Sequence, residues 1–395
     1  MHQTIKKPRT TQPSPIQRLA TRAGSMLTAL GITLLAASPA AAQSSYTAVD
    51  LTPSSFGVAN AVSNGFIAGL ASSTPGAYTG RAALWTPVDG LLDLHPALLD
   101  DPANGVTGRS ALNGLSGSLQ VGWGAGNATG NHIAAMAWRD SAASAALLNL
   151  PFASFSSQAV KTDGNQIVGF ATPYTKDGTS LGPSRAIVWD AATGAAVDLG
   201  DGGNGAQALA VGRGMQAGYV MKNGPQAALW TGSSRSLIVV NPKNAQTSRI
   251  DGTDGLRQVG YAGYLVRIRV EAPKGTKDVL RSFANVWTGG NVNSATIIHP
   301  YPVNNPTATF TESFATAVAG PTIVGYATDE AAIGTPAYYH AIVWDASYQA
   351  IDLNAFLPSG FVGSQAFSVD AQGTIAGVMS TADGQRHAVQ WVPNP

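Results

Sequence analysis

The sequence has 395 residues, of which 44% are hydrophobic and only 11% are charged, and its formal net charge is +1. The hydrophobic fraction suffices for a packed core and excludes a disordered polymer, and the near-zero charge indicates no particular class of partner. The complete lack of cysteine excludes disulfide scaffolds, thiolate zinc sites and cysteine nucleophiles.

Residues 1–42 have the pattern of a secretory signal peptide. The stretch carries five basic and no acidic residues, then an apolar run at 26–37, and it ends in three alanines. A basic start, an apolar run of about 7–15 residues and small residues at the cleavage site are typical of such a signal. We therefore expect cleavage near Ala42 and a secreted or periplasmic protein. Translation from either Met1 or Met26 is compatible with this pattern.

Cleavage changes the charge balance of the remaining domain, residues 43–395. This domain keeps 18 basic residues against 22 acidic ones, a formal charge of −4, which argues against nonspecific binding of nucleic acid. No later apolar run approaches the about 20 residues that a membrane helix needs. We expect a monomer with no membrane span in its mature form and no nucleic-acid partner.

Seven copies of the tetrapeptide Ala-x-x-Trp run through the mature chain, with 41 to 57 residues between successive tryptophans. A glycine after an apolar or Gln-containing pair, here called the marker glycine, precedes each copy. The tetrapeptides are Ala82–Trp85, Ala135–Trp138, Ala186–Trp189, Ala227–Trp230, Ala284–Trp287, Ala341–Trp344 and Ala388–Trp391. The marker glycines are Gly69, Gly122, Gly169, Gly218, Gly260, Gly325 and Gly377. Such self-similarity indicates seven structural units.

Each unit reads as four short strands, because strand-length apolar stretches alternate with Gly, Asp and Asn turns. In the third unit the pattern predicts strands at 158–161, 166–171, 185–190 and 195–199. Four strands per unit of about 50 residues predict an all-β, seven-bladed β-propeller of four-stranded blades. A parallel β-helix is the rival architecture, but the unit is long for one coil of such a solenoid.

The two ends of the mature chain complement each other. The last unit stops at Trp391 without a fourth strand, and Tyr46–Leu51 has the sequence of a fourth strand without its first three. We therefore expect this N-terminal strand to complete the last blade and close the ring, which leaves no open sheet edge.

The repeat resembles that of the bacterial extracellular HAF-repeat proteins, called after a His-Ala-Phe tripeptide. His340-Ala341-Ile342 and His387-Ala388-Val389 keep its first two letters. The resemblance covers nearly the whole mature chain. It implies secretion and a propeller-like fold, and it implies no reaction.

Several side chains recur with the repeat, which favours a structural role for them. Arg81 and Arg185 occupy the position of His340 and His387, so this position needs a long polar side chain rather than a catalyst. The repeat tryptophans are predicted to wedge between neighbouring blades. The recurring carboxylates are predicted to accept hydrogen bonds within a blade: Asp50, Asp93, Asp198 and Asp352. By contrast, His95, His132 and His299 share no repeat position in this interpretation.

Dedicated enzyme and metal motifs are missing from the sequence. No nucleophile elbow, phosphate loop or His-Glu-x-x-His pair occurs, and the Asp-Gly pairs lack the alternating oxygen ligands of a calcium loop. We predict no metal site and no cofactor.

Loop length varies mainly on one side of the predicted ring. The marker glycine and the tryptophan, which flank the second-to-third loop, are 12 to 27 residues apart. These loops and the links between blades form what we call the variable-loop face, where function usually lies. Its longest loop, in blade five, is rich in Arg and Lys. The candidate ligand-binding residues of this face are Tyr78, His132, Tyr174, Asp177, Asp329, Tyr338 and Tyr339.

Two functional classes stay open. The first is an exported propeller that binds a glycan or an envelope protein through the variable-loop face. The second is a secreted polysaccharide lyase, glycoside hydrolase or lactonase with a site assembled at the mouth of the propeller. Two carboxylates about 5–10 Å apart would support glycoside hydrolysis, and a histidine beside Tyr or Arg would support elimination.

The export prediction is tested by N-terminal sequencing of the protein recovered outside the cytoplasm. We expect the mature chain to begin at or near Gln43, because the small residues before it suit signal peptidase. A recovered protein that still contains Lys6 and Lys7 would contradict the prediction.

Overall fold

The structure is a computed structural model, and it describes residues 45–72, 80–174, 181–270, 275–329 and 334–395. These residues form 28 β-strands and, besides them, only short turns of 3₁₀ helix. The strands make seven antiparallel sheets of four strands each. The prediction of an all-β, seven-bladed propeller is therefore confirmed. Within the described ranges no helix has the length and apolar character that a membrane crossing requires.

The first strand of the chain is β1 (Tyr46–Asp50), and complete blades follow it in chain order. Blades one to four consist of β2 (Gly57–Ser63), β3 (Phe66–Ala71), β4 (Arg81–Thr86) and β5 (Gly90–Asp93); β6 (Arg109–Ser116), β7 (Leu119–Ala125), β8 (Ala134–Arg139) and β9 (Ala146–Leu147); β10 (Ser154–Thr162), β11 (Gln166–Pro173), β12 (Arg185–Asp190) and β13 (Ala196–Gly200); and β14 (Ala206–Gly212), β15 (Met215–Met221), β16 (Pro225–Trp230) and β17 (Ile238–Val239). The four strands of blade three lie where the sequence predicts them, with the first two longer than expected.

The remaining blades repeat the pattern, and the last one has only three strands of its own. Blades five to seven consist of β18 (Thr247–Thr253), β19 (Arg257–Val270), β20 (Gly275–Thr288) and β21 (Thr296–Ile297); β22 (Phe310–Ala319), β23 (Thr322–Asp329), β24 (Tyr339–Trp344) and β25 (Ala350–Asp352); and β26 (Phe361–Val369), β27 (Ile375–Thr381) and β28 (Arg386–Pro393).

The ring closes through β1, which pairs antiparallel with β28 from Tyr46 opposite Pro393 to Asp50 opposite Val389. The last sheet therefore has the order β1-β28-β27-β26. Nδ1 of His387 lies 2.9 Å from Oδ2 of Asp50 and ties the two chain ends together. The prediction that the N-terminal strand completes the last blade is confirmed.

Six of the seven repeat tryptophans are completely buried, and each packs against the preceding blade. Trp138 of blade two, for example, packs with Ala68 and Leu84 of blade one. Its Nε1 also donates a hydrogen bond of 2.9 Å to the carbonyl oxygen of Leu94. The predicted wedges between blades are confirmed, and burial of these large rings holds the ring of blades together.

A second contact between blades involves the alanine that opens each tetrapeptide. In six of the seven blades its backbone N–H donates to a hydroxyl on the next blade, a recurring bond that the sequence pattern did not predict. The pairs are Ala82 with Ser110, Ala135 with Ser157, Ala227 with Ser248, Ala284 with Ser313, Ala341 with Ser364 and Ala388 with Thr52. Because both groups are buried, each bond satisfies a donor that water cannot reach.

In four blades an Arg or His precedes the tetrapeptide and binds the recurring aspartate of the same blade. Nδ1 of His340 lies 2.8 Å from Oδ2 of Asp352, and Nε of Arg185 lies 2.7 Å from Oδ2 of Asp198. The second carboxylate oxygen of Asp352 accepts the backbone N–H of Asn354. The framework role predicted for this position is confirmed.

The interpretation that His95 and His299 share no repeat position is wrong. Nδ1 of His95 lies 2.8 Å from Oγ of Ser110, and Nδ1 of His299 lies 2.9 Å from Oγ of Ser313. Both histidines therefore support the serine that links two blades. The repeat was hidden because Asn241 and other residues fill the same position elsewhere.

The segment expected to be the longest loop, in blade five, is mostly strand. Here β19 and β20 have 14 residues each and pair along their full length. Alternating side chains on a paired ribbon made this segment resemble a polar loop in sequence. Arg267, Arg269 and Lys277 project from the part of this hairpin beyond the blade, and Arg267 pairs with Asp278 at 3.0 Å.

Deletion of Tyr46–Asp50 tests the closure. We expect the free energy of unfolding to fall by about 3–5 kcal/mol, since the deletion removes the buried Tyr46 ring and a row of strand hydrogen bonds. Urea unfolding measures the change. The matched control is a chain that starts at Gln43 and keeps β1. Equal stability of the two chains would rule out a closing role for the strand.

Replacing His340 with alanine tests the framework interpretation. The Asp352 side chain is only 1% exposed, so the loss of its imidazole partner should lower the stability by about 1–3 kcal/mol. Arg81→Ala is the control, because Arg81 and Asp93 are half exposed and 3.4 Å apart; its effect should stay within about 0.5 kcal/mol. Thermal unfolding measures both changes. A larger loss of stability in Arg81→Ala than in His340→Ala would contradict the framework role of His340.

Candidate functional site

The first strand of every blade carries a β-bulge at the same repeat position. At this point the pairing with the second strand skips one residue, and the skipped side chain faces the central channel. The seven bulged residues are Asn60, Asn113, Val160, Leu209, Asp251, Thr316 and Phe367. All seven line one cavity of about 520 Å³, which we call the channel cavity.

The marker glycines explain how the bulge fits into each blade. Every one of them pairs with the residue just before the bulge, and a Cβ atom there would lie only 1.9–2.0 Å from a carbonyl oxygen of the innermost strand. In blade five, for example, a side chain at Gly260 would meet the carbonyl of Arg249. Only glycine permits this approach of two backbones.

The residue after the marker glycine is aromatic in five of the seven blades, as Trp123, Phe170, Tyr219, Tyr261 and Tyr326. Because strand side chains alternate, this residue lies on the same side of the blade as the side chain opposite it on the innermost strand. Phe170, Tyr261 and Tyr326 line the channel cavity. Trp123 occupies the equivalent position in blade two and is partly exposed.

Aromatic side chains of blades five and six form a continuous aromatic wall of Tyr261, Phe314 and Tyr326. The ring centroids of Tyr261 and Phe314 are 5.1 Å apart, and those of Phe314 and Tyr326 are also 5.1 Å apart. The Arg249 guanidinium lies over the Tyr261 ring, 5.7 Å from its centroid. The wall therefore combines flat apolar faces with one cation at its end.

Amide and hydroxyl groups complete the lining of the channel cavity. The side-chain amides of Asn60 and Asn113 each donate a bond of 2.9 Å to a carbonyl of the next blade. Their amide oxygens have no partner within the described parts of the chain. Gln158 also lines the cavity. These groups can donate to or accept from a polar ligand.

The charged residues of the channel cavity are Arg249, Asp251 and Lys161. Arg249 and Asp251 form an ion pair, with Nε and Nη2 at 2.7 and 2.6 Å from the same carboxylate oxygen. Burial alone would lower the pKa of Arg249, but Asp251 raises it above its usual range. Burial raises the pKa of Tyr326, and the Asp251 carboxylate raises it further. The phenol of Tyr326 therefore stays protonated and can donate a hydrogen bond.

The cavity lies toward the variable-loop face. Each innermost strand starts at that face, and Gln158, Arg249 and Phe314 precede their bulges and line the cavity. A smaller cavity of about 150 Å³ lies beyond the bulges and is lined mostly by small and apolar residues. Lys161 lines both cavities and so marks the boundary between them.

None of the four candidate residues whose side chains the structure describes lines the channel cavity. Tyr78 and Asp177 lie outside the described residues, and Asp329 ends β23 opposite Phe310. The other four fall into two separate pairs on the variable-loop face: His132 with Tyr174, and Tyr338 with Tyr339.

One pair of candidates makes no ring contact with the aromatic wall among the described residues, and the other pair touches it. Phe155 bridges His132 and Tyr174, with centroid distances of 4.6 and 6.1 Å. Tyr338 lies 4.7 Å from Tyr339, which in turn lies 5.5 Å from Tyr326 of the aromatic wall. The channel residues themselves could have been found from the aromatic position after the marker glycine, but the bulged residues share no type that sequence could reveal.

No group of three or more metal-ligating side chains occurs among the residues that the structure describes. The sequence matches no protein-family model and no curated protein. Its similarity to known proteins is therefore structural.

Solved propeller proteins share the fold at very low sequence identity. The acylaminoacyl peptidase of Pyrococcus horikoshii is 9% identical with a TM-score of 0.51, over 87% of this chain and 52% of that one. An oligogalacturonate lyase in complex with manganese is 10% identical with a TM-score of 0.50, over 89% and 94% of the two chains. The β-propeller domain of the Trilobed protease from Pyrococcus furiosus is 8% identical with a TM-score of 0.46, over 85% and 95%. This chain thus spans about half of the peptidase, and the likeness concerns the fold alone.

Proposed function

We propose that the protein is an exported binding propeller that holds the sugar rings of a glycan in the channel cavity. The aromatic wall of Tyr261, Phe314 and Tyr326 is the observation that carries this proposal. Sugar rings present apolar C–H faces that pack on aromatic rings, and their hydroxyl groups bond to amides and phenols. The cavity of about 520 Å³ lies within the range of about 300–1,000 Å³ that small-molecule sites occupy.

The shape of the site favours a glycan over an envelope protein as partner. The aromatic wall lines a concave cavity, whereas a protein partner is recognised by an extended surface of standard size. The cavity is lined by the amide oxygens of Asn60 and Asn113 and by the phenol of Tyr326. These groups can form hydrogen bonds with sugar hydroxyls. A chain of sugars can enter such a cavity end-on from the variable-loop face.

Hydrolysis of the glycan is less well supported than binding. Glycoside hydrolases use two carboxyl groups about 5–10 Å apart, and Asp251 is the one carboxylate among the described residues of the channel cavity. That carboxylate is already paired with Arg249. No histidine is among the described lining residues either, so the His-dependent elimination considered for the alternative lyase lacks its base here.

Glycan-array binding by the mature protein, followed by titration of the best glycan, tests the proposal. We expect Tyr261→Ala and Tyr326→Ala each to weaken binding at least tenfold, because each removes a stacking face worth about 1.4 kcal/mol or more. Tyr261→Phe keeps the ring and should bind within about threefold of the original protein.

Leu91→Ala is the matched control, since Leu91 is an exposed residue on the outer strand of blade one. It should leave binding and thermal stability unchanged. If Tyr174→Ala lost binding while Tyr261→Ala bound normally, the site would lie at His132 and Tyr174, and the proposal would be contradicted. Mass spectrometry of the bound glycan tests for cleavage. If the glycan were cleaved, the enzymatic alternative would replace the proposal of a binding protein.

A further inference from the structure

Lys161 is the cation at the boundary between the two cavities of the channel. It follows the bulged Val160 on β10, and it lines both the channel cavity and the smaller cavity beyond it. Its side chain is partly exposed, and this exposure is to the channel. A ligand that enters from the variable-loop face therefore meets Lys161 at the bottom of the cavity.

The charge of Lys161 is not balanced by the protein. Arg249 and Asp251 form an ion pair of their own. Within the described parts of the chain, no hydrogen bond or ion pair involves the Lys161 ammonium. The charged residues that line the cavity are thus two cations and one anion, a net charge of +1.

The surroundings of Lys161 make this lack of a partner unfavourable. Enclosure by protein removes water from the ammonium and lowers its pKa, and the Asp251 carboxylate opposes this shift only through space. An enclosed charge is stabilised strongly when an opposite charge with hydrogen-bonding oxygens comes into contact with it. A bound anion would provide this contact.

The blade-five hairpin adds positive charge at the same end of the channel. It continues β19, the strand that carries Tyr261, beyond the blade on the variable-loop face. Arg269 and Lys277 are exposed on it, and neither side chain forms an ion pair with a described residue. A cluster of cations at the entrance of a cavity raises the local concentration of anionic ligands.

We infer that the glycan held in the channel is acidic and that Lys161 pairs with an anionic oxygen group on one of its sugars. This inference rests on the proposed function. The group is a uronic carboxylate or a sulfate ester, which share the negative oxygens that an ammonium binds. The aromatic wall then contacts the ring face while Lys161 binds the charged substituent.

Matched probes test the charge requirement directly. Calorimetric titration compares tetragalacturonate with its methyl ester, and a κ-carrageenan tetrasaccharide with its desulfated form. We expect the original protein to bind at least one anionic probe tenfold or more tighter than its neutral counterpart. The pair that shows this preference identifies the anionic group as carboxylate or sulfate.

Three variants assign the preference to Lys161. Lys161→Gln should lose at least fivefold of the preference for the anionic probe and keep its affinity for the neutral one. Lys161→Arg should restore most of the preference, because the charge is kept. Lys222→Gln removes an exposed lysine in the second-to-third loop of blade four and should change neither affinity.

The outcomes separate the inference from the function on which it rests. Equal affinity for a charged probe and its neutral counterpart, or an unchanged preference in Lys161→Gln, would overturn the inference while glycan binding stands. Absence of binding to all four probes and to the glycan array would overturn both. Lys161→Gln should have a melting temperature at or above that of the original protein. If this variant did not fold, the comparison of charged and neutral probes on the original protein would still test the preference for an acidic glycan.

Discussion

The close contact between each marker glycine and the innermost strand is the constraint on which the structure depends. A Cβ atom at any of these seven glycines would come within 1.9–2.0 Å of a carbonyl oxygen. The contact holds the second strand against the first directly before the bulge. Because the bulged residue takes no part in regular pairing, its side chain enters the channel. One fixed backbone contact thus places one side chain of every blade in the channel, and the type of that side chain can differ from blade to blade.

This arrangement separates the residues that build the ring from those that can bind. The repeat alanines, serines and tryptophans are used in contacts between blades, so a change at any of them disturbs two blades at once. The bulged position carries amide, aliphatic, acidic, hydroxyl and aromatic residues in different blades. The channel can therefore change its chemistry without a change in the framework, as expected of a site placed on a shared fold.

The architecture could be predicted from the sequence because its determinants recur. Seven marker glycines and seven tryptophans count the blades, and the strand beginning at Tyr46 fits the gap after Trp391. The site could not be predicted in the same way, because a bulge has no residue signature and adds only one residue to a strand. Lys161 and Asp251 line one cavity and interact electrostatically although 90 positions of sequence and two blade boundaries separate them. Their relation exists only once blades three to five have packed together.

Under the proposed function, the variable loops and the channel form one path for the ligand. The cavity beyond the bulges is small and mostly apolar, so a polar chain has no favourable route through it and must enter from the variable-loop face. Tyr338 and Tyr339 lie at that entrance and connect, through the ring contact with Tyr326, to the wall inside. The loop tyrosines that stand out in the sequence then form the outer end of a binding surface whose inner end is fixed by the bulges. In the proposed function, loop length would then set which glycan chain reaches the channel, and the channel residues would set which sugar is held.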